Sequence, residues 1–225
     1  MKKADKKEFV FEKVSQLLKP QGYYLVKTGL DPSFILKKED LVVLFFFNFK
    51  DMGEIAFSKF LISLPIVEDI MFDIKKPNQD YNSIDNKKYF LITIEDLSTV
   101  MPEGYYKGIG YEINSQEKLE FFTNWTINYL NNEGKNFVEK YSYLPNILIE
   151  MDRLEVEGKY WNEILSGGPE FLFRGLIISK LCNDNDYLRK LDYVKELIIS
   201  MAIDYLPFYE KLKTKLETLI PVYNV

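Results

Sequence analysis

Four carboxylates crowd one short segment: Glu150, Asp152, Glu155 and Glu157, with Glu163 six residues further on. Carboxylates are the hard oxygen ligands that hold magnesium, so metal-assisted hydrolysis would be sought here first. Helical spacing sets Glu150 and Glu157 two turns apart and gives Asp152 and Glu155 another edge. Ile147, Leu148, Met151 and Leu154 form the apolar stripe of the same helix. The carboxylates then lie along a solvent-facing side, whereas a metal site needs them to converge in a cleft. Three uses fit the segment: a solvated helix face, a docking face for a protein with a basic surface, or a metal site.

The rest of the chain narrows the chemistry further. It has no histidine and one cysteine, Cys182, which excludes His-dependent triads, Cys–His pairs and Cys- or His-based zinc sites within one chain. No GxxxxGK[ST] loop is present, and no GxGxxG follows a strand. Gly108 and Gly110 sit in a strand-like run, "YYKGIGYEI", where a bulge is expected. "SGGPE" precedes a helix whose N-terminus could hold an anion, but helix capping explains the same residues. Cys182 follows a very apolar helix and reads as a packed thiol. Arg174 has Glu170 four residues before it, the order of a helix pair. Trp125 and Trp161 read as packing residues. No cofactor is expected.

Charge and composition bound the partners. The net charge is −5, with 16 basic and 17 acidic residues in 1–114 but 13 and 17 in 115–225. No basic patch of the kind that neutralises phosphates stands out, so nucleic acid is not an expected partner. No stretch approaches the ~20 apolar residues of a membrane helix. An intrachain disulfide is impossible with a single cysteine, which fits a reducing cytoplasm. Aromatic content is 16%, which fits either an aromatic-lined pocket or the genomic bias seen in 26 Lys against three Arg.

The elements follow from periodicity. Phe9, Val10, Val14, Leu17 and Leu18 recur at helical spacing over 6–18, and Pro20 and Gly22 stop that helix. "YYLVKTG", "SFILKKED", "LVVLFFFNF" and "EIAFSKFLISL" are short apolar runs between polar turns and predict antiparallel hairpins. The nearly unbroken run at 41–49 predicts a central strand covered by the first helix on one face and later helices on the other. "KYFLITIEDL" and "YYKGIGYEI" predict two more strands, and the polar stretch 75–88 between them a loop. From Asn114, a candidate cap with Glu117 three residues on, the pattern is helical. In "SGGPE", Gly167 and Gly168 are expected to end one helix and Pro169 to open the next. Helices at 186–203 and 206–219 complete the pattern. The expected class is α+β: an N-terminal helix, an antiparallel sheet of about five or six strands, then an all-helical half. The expected organisation is one unit over 1–225, with 115–225 packed on 1–114.

The stretch "FEKVSQLLKPQGYY" and the order helix, strands, helices over 8–72 resemble small bacterial domains that include immunity proteins of polymorphic toxins. The likeness extends to "YWNEIL" and the helix after it, and carries no catalytic motif. It implies a cytoplasmic, acidic, non-enzymatic protein that binds one toxin domain. The leading expectation is therefore a bacterial cytoplasmic protein-binding protein, with Glu150, Asp152, Glu155 and Glu157 as the partner-binding residues. The alternatives are a carboxylate-based, metal-dependent enzyme and a small-ligand binder with an aromatic-lined pocket.

Overall fold

The structure, a computed structural model, describes residues 1–27, 32–75 and 91–225. The expected loop at 75–88, after its first residue, and the start of the strand expected in "KYFLITIEDL" lie outside the described residues. Contacts between residues cluster into two units, 1–61 with 96–139 and 62–95 with 140–225. The class is α+β, with an N-terminal helix, an antiparallel sheet and a helical second half.

The first unit begins with α1, Lys3–Leu18, whose buried side includes Val10, Phe11, Val14 and Leu18. A short 3-10 turn through Pro20 ends at Gly22, whose φ of 91° suits glycine. The strands are β1 (Tyr24–Val26), β2 (Ser33–Lys37), β3 (Val42–Phe49), β4 (Glu54–Phe57), β5 (Leu61–Ser63), β6 (Ile94–Glu95), β7 (Tyr105–Tyr106) and β8 (Gly110–Glu112). Six of them follow the order β1-β2-β3-β4-β8-β7. The strand expected at 41–49 is central, because β3 pairs antiparallel with β2 and β4.

Alternation along β3 sends Phe45, Phe47 and Phe49 to one face. Phe47 lies opposite Phe57 and stacks on it at 5.1 Å. Phe11 of α1 meets Phe34, Phe47 and Phe49 at 5.4–6.4 Å on that face. α3, Gln116–Asn131, sets Trp125 and Tyr129 edge-on to Phe57 at 6.3 and 5.6 Å. Both α1 and α3 therefore cover this face. On the other face of β3 Val42 and Leu44 are buried, and Phe46 and Asn48 are partly buried. In the described part of "KYFLITIEDL" the strand is β6, two residues long.

Three local expectations are also corrected. "YYKGIGYEI" is a hairpin, not one strand: β7 and β8 are joined at 107–109, with Gly108 and Gly110 at φ 79° and 110°. A Cβ on Gly110 would stand 2.7 Å from the Ile55 carbonyl oxygen, so the close approach of β4 requires glycine. "EIAFSKFLISL" breaks at 58–60, where Lys59 has φ 61°. The cap of α3 is Ser115, whose hydroxyl accepts from the Lys118 N–H; Asn114 instead donates to Glu112.

In the second unit β5 pairs with β6. The sequence reading placed no helix at α2, Pro65–Ile74, although proline at the first position and Glu68 in the first turn mark its start. α4 (Glu133–Tyr141) leads from one unit into the other. The remaining helices are α5 (Leu144–Val156), α6 (Glu170–Leu181), α7 (Tyr187–Met201) and α8 (Leu206–Glu217). The expectation that Gly167 and Gly168 end a helix is corrected. A 3-10 turn at Trp161–Glu163 precedes them, and Pro169 is the N-cap rather than the first residue of α6. Trp161 packs directly over Gly175 of α6, where an added Cβ would lie 2.2 Å from its ring.

Candidate functional site

α5 buries Ile147, Leu148, Met151 and Leu154, as its periodicity predicts, so its four carboxylates fall on and beside the outer face. Each is held by cations of this chain. Glu150 accepts from Arg153 at 2.6 Å and Lys140 at 3.4 Å. Glu157 is bonded to Arg153 and accepts from Lys159 at 2.9 Å. Glu155 accepts from Arg189 of α7 at 2.7 Å. Asp152 is bonded to Lys190 of α7, which also reaches Asp184 at 2.7 Å.

The electrostatics follow from which partner lies outside. Glu150 and Glu155 are 15% and 19% exposed, whereas their partners Arg153 and Arg189 are 49% and 52% exposed. In these two pairs the cation lies outside the carboxylate; at Asp152 the order is reversed, because Lys190 is fully buried and Asp152 is half exposed. Burial pushes the Glu150 carboxyl up, but Arg153 and Lys140 outweigh that and hold it below the ordinary carboxylate range. Lys159 and Arg153 lower Glu157 in the same way. Burial alone would lower the Lys190 ammonium, yet Asp152 and Asp184 leave it raised. The segment alone could not show this, because Arg189 and Lys190 arrive from 34 and 38 residues away. The same outer face also exposes Ile149 and Val156, which are 64% and 89% accessible and share a side two turns apart.

The most buried ionic cluster of the second unit lies elsewhere. Arg174 of α6 donates from Nε to Glu68 Oε1 at 2.7 Å and from Nη2 to Glu68 Oε2 at 2.8 Å. Its Nη1 donates to the Ser166 carbonyl, and the Thr93 hydroxyl donates to Glu68 at 2.7 Å. This corrects the pairing expected between Arg174 and Glu170; Glu170 instead accepts from Lys75 at 2.5 Å and from the Tyr205 hydroxyl at 3.1 Å. Every polar atom of the clasp between Glu68 and Arg174 is spent on structure, so it is a staple between α2 and α6.

The other chemical candidates are also placed. Cys182 is fully buried, and burial together with Asp184 pushes its thiol up to about 12. Glu163 lies in the 3-10 turn after α5. Among the described residues no three of the carboxylates and the cysteine group closely enough to hold a metal ion. No described helix is long and apolar enough to cross a membrane. Comparison with protein-family models, with curated proteins and with solved structures returned no match.

Proposed function

We propose that this chain is a non-enzymatic, protein-binding protein of the bacterial cytoplasm, immunity-like in that it docks on one partner and neutralises it. The observation that carries the reading is the outer face of α5. Ile149 and Val156 stand exposed on it, at helical positions beside the charge-paired Asp152, Arg153 and Glu157. Exposed apolar side chains beside charged ones are the materials of a protein interface. A basic partner surface would compete with Arg153, Lys159, Arg189 and Lys190 for the four carboxylates. The charges therefore set register and association rate, and the apolar pair supplies most of the affinity.

The test is capture from the native host at low and high salt, using three proteins: wild type, Ile149→Asp with Val156→Asp, and a form with Glu150, Asp152, Glu155 and Glu157 replaced by neutral isosteres. Wild type is expected to retain one partner, and the apolar double variant to lose it. The isostere variant is expected to bind more slowly and with less dependence on salt. Retention of the same partner by all three would remove α5 from the interface. Magnesium-dependent turnover of a phosphoester by purified protein, abolished by a carboxylate substitution, would overturn the non-enzyme reading.

A further inference from the structure

The first unit buries a lysine without a counter-charge. Lys6 of α1 is 6% exposed, and its ammonium donates to the carbonyls of Gly53 and Ile113 at 2.9 and 2.6 Å. An ammonium has three protons, so one remains. Among the described residues no carboxylate forms an ion pair with Lys6, which is rare for a lysine taken out of water. The side chain borders a cavity of about 270 Å³, with Gly53, Glu54, Ile113 and Asn114 also in its lining. Glu54 has the opposite lack: its Oε2 is buried and has no hydrogen-bond partner among the described residues. Gly53, whose carbonyl accepts from Lys6, directly precedes Glu54, so both charges stand on one wall of the cavity without pairing with each other.

The other charged groups of the lining are engaged elsewhere. Lys3 pairs with the exposed Asp51 at 2.7 Å, and Lys50 donates to the Gly108 carbonyl at 2.6 Å. Glu112 lies opposite Glu54 in the register of β4 and β8 and sets a like charge beside it. Like charges directly opposite in a sheet repel, so the Glu54 end favours a cation. The unpaired ammonium of Lys6 favours an anion. Water can bond to either group but supplies no counter-charge, and the 270 Å³ available is several times the roughly 30 Å³ share of one water molecule.

We propose that this cavity binds a small zwitterion of the α-amino acid class. The ligand carboxylate takes the remaining Lys6 proton, and the ligand ammonium donates to Glu54 Oε2. Each buried charge then gains its counter-charge through a charge-assisted hydrogen bond. Phe49, in the same lining, gives a short side chain an apolar surface to rest on. The site lies within the first unit and shares no residue with α5, so its failure leaves the docking face untouched, and the reverse holds.

The test is titration of isotope-labelled protein with free glycine, alanine or serine, followed by amide resonances. Acetate and methylammonium, which each carry one half of the charge pattern, are titrated in parallel at the same ionic strength. At least one amino acid is expected to shift the amides of Gly53, Glu54 and Asn114 saturably, and neither half-ligand to saturate. Lys6→Met and Glu54→Gln should each weaken that binding at least about tenfold. If Lys6→Met fails to fold, Glu54→Gln decides alone, because Glu54 Oε2 makes no bond in the free protein that the amide would lose. Binding of acetate or methylammonium as tight as that of the amino acid, undiminished binding by Glu54→Gln, or shifts confined to other residues would overturn the proposal. So would the lack of a saturable shift with all three amino acids, which would leave the cavity to water.

Discussion

Removing Arg174 is expected to be among the most damaging single changes in the second unit. Glu68 is fully buried, and its two carboxylate oxygens take charged hydrogen bonds from Arg174 at 2.7 and 2.8 Å. In Arg174→Met the thioether replaces the guanidinium, and only the Thr93 hydroxyl still donates to the carboxylate. Breaking a buried pair by deleting one partner costs about 3–5 kcal/mol, mostly the penalty of the stranded charge. For a chain of this length each kcal/mol shifts Tm by about 2–4 °C, so the midpoint should fall by roughly 6–20 °C. The double variant Glu68→Leu with Arg174→Met strands nothing and should recover most of the loss, because a hydrophobic replacement of a buried pair is often neutral. Thermal and denaturant unfolding, followed by the fluorescence of Trp125 and Trp161, measures all three proteins. If Arg174→Met costs less than about 1 kcal/mol, or the double variant is as unstable as the sum of the singles, the clasp is not what joins α2 to α6.

Gly175→Ala should destabilise by at least the ~1–3 kcal/mol typical of overpacking, since the new methyl meets the Trp161 ring at 2.2 Å; normal stability in a denaturant titration would refute that packing. Phe45→Ala or Phe47→Ala should each cost about 3–5 kcal/mol, and amides over 43–47 should be among the slowest to exchange; rapid exchange there would contradict a central β3. Cys182 should resist thiol reagents at neutral pH until denaturant is added, because its thiol is buried and raised to about 12. Stability should fall on acidification below about pH 4. Burial raises the carboxyls of Asp184 and Glu170, but Lys190 and Lys75 outweigh it and leave both depressed, so their contribution is present above the unfolded carboxylate value and is lost as pH drops through the folded one. Asp184→Asn should flatten that acid limb in equilibrium unfolding, and an unchanged limb would place the loss in other groups.

What the sequence revealed was whatever depends on near neighbours. The apolar run at 41–49 showed a central strand because nine residues cannot alternate toward water without a polar set. The inward stripe of α5 was legible for the same reason. The face that α3 covers was not, since Trp125 and Tyr129 give no sign of which side of β3 they will meet. The carboxylates of α5 could be counted but not weighed. The cations that neutralise Asp152 and Glu155 sit on α7, and the outward position of Arg153 and Arg189 is a property of packing. Arg174 shows the limit most sharply: a satisfying local partner stood four residues away, and the true one lies 106 residues back.

The long reach of the clasp has a consequence for synthesis. Residues 1–61 and 96–139 complete the first unit, while α2 belongs to the second and is made before half of the chain exists. At about 5–20 residues per second, the 106 residues between Glu68 and Arg174 take roughly 5–21 s to emerge. Throughout that interval Val67, Ile70, Met71 and Ile74 of α2 lack α6 to pack on, beside a carboxylate that has not yet met Arg174. Once residue 139 has emerged, the nascent chain carries a finished first unit and an unpaired α2 at once. Slowing translation after residue 139 lengthens the exposure, and ribosome-bound chains stalled between 140 and 173 are the species in which a chaperone that grips short apolar helices would find its client.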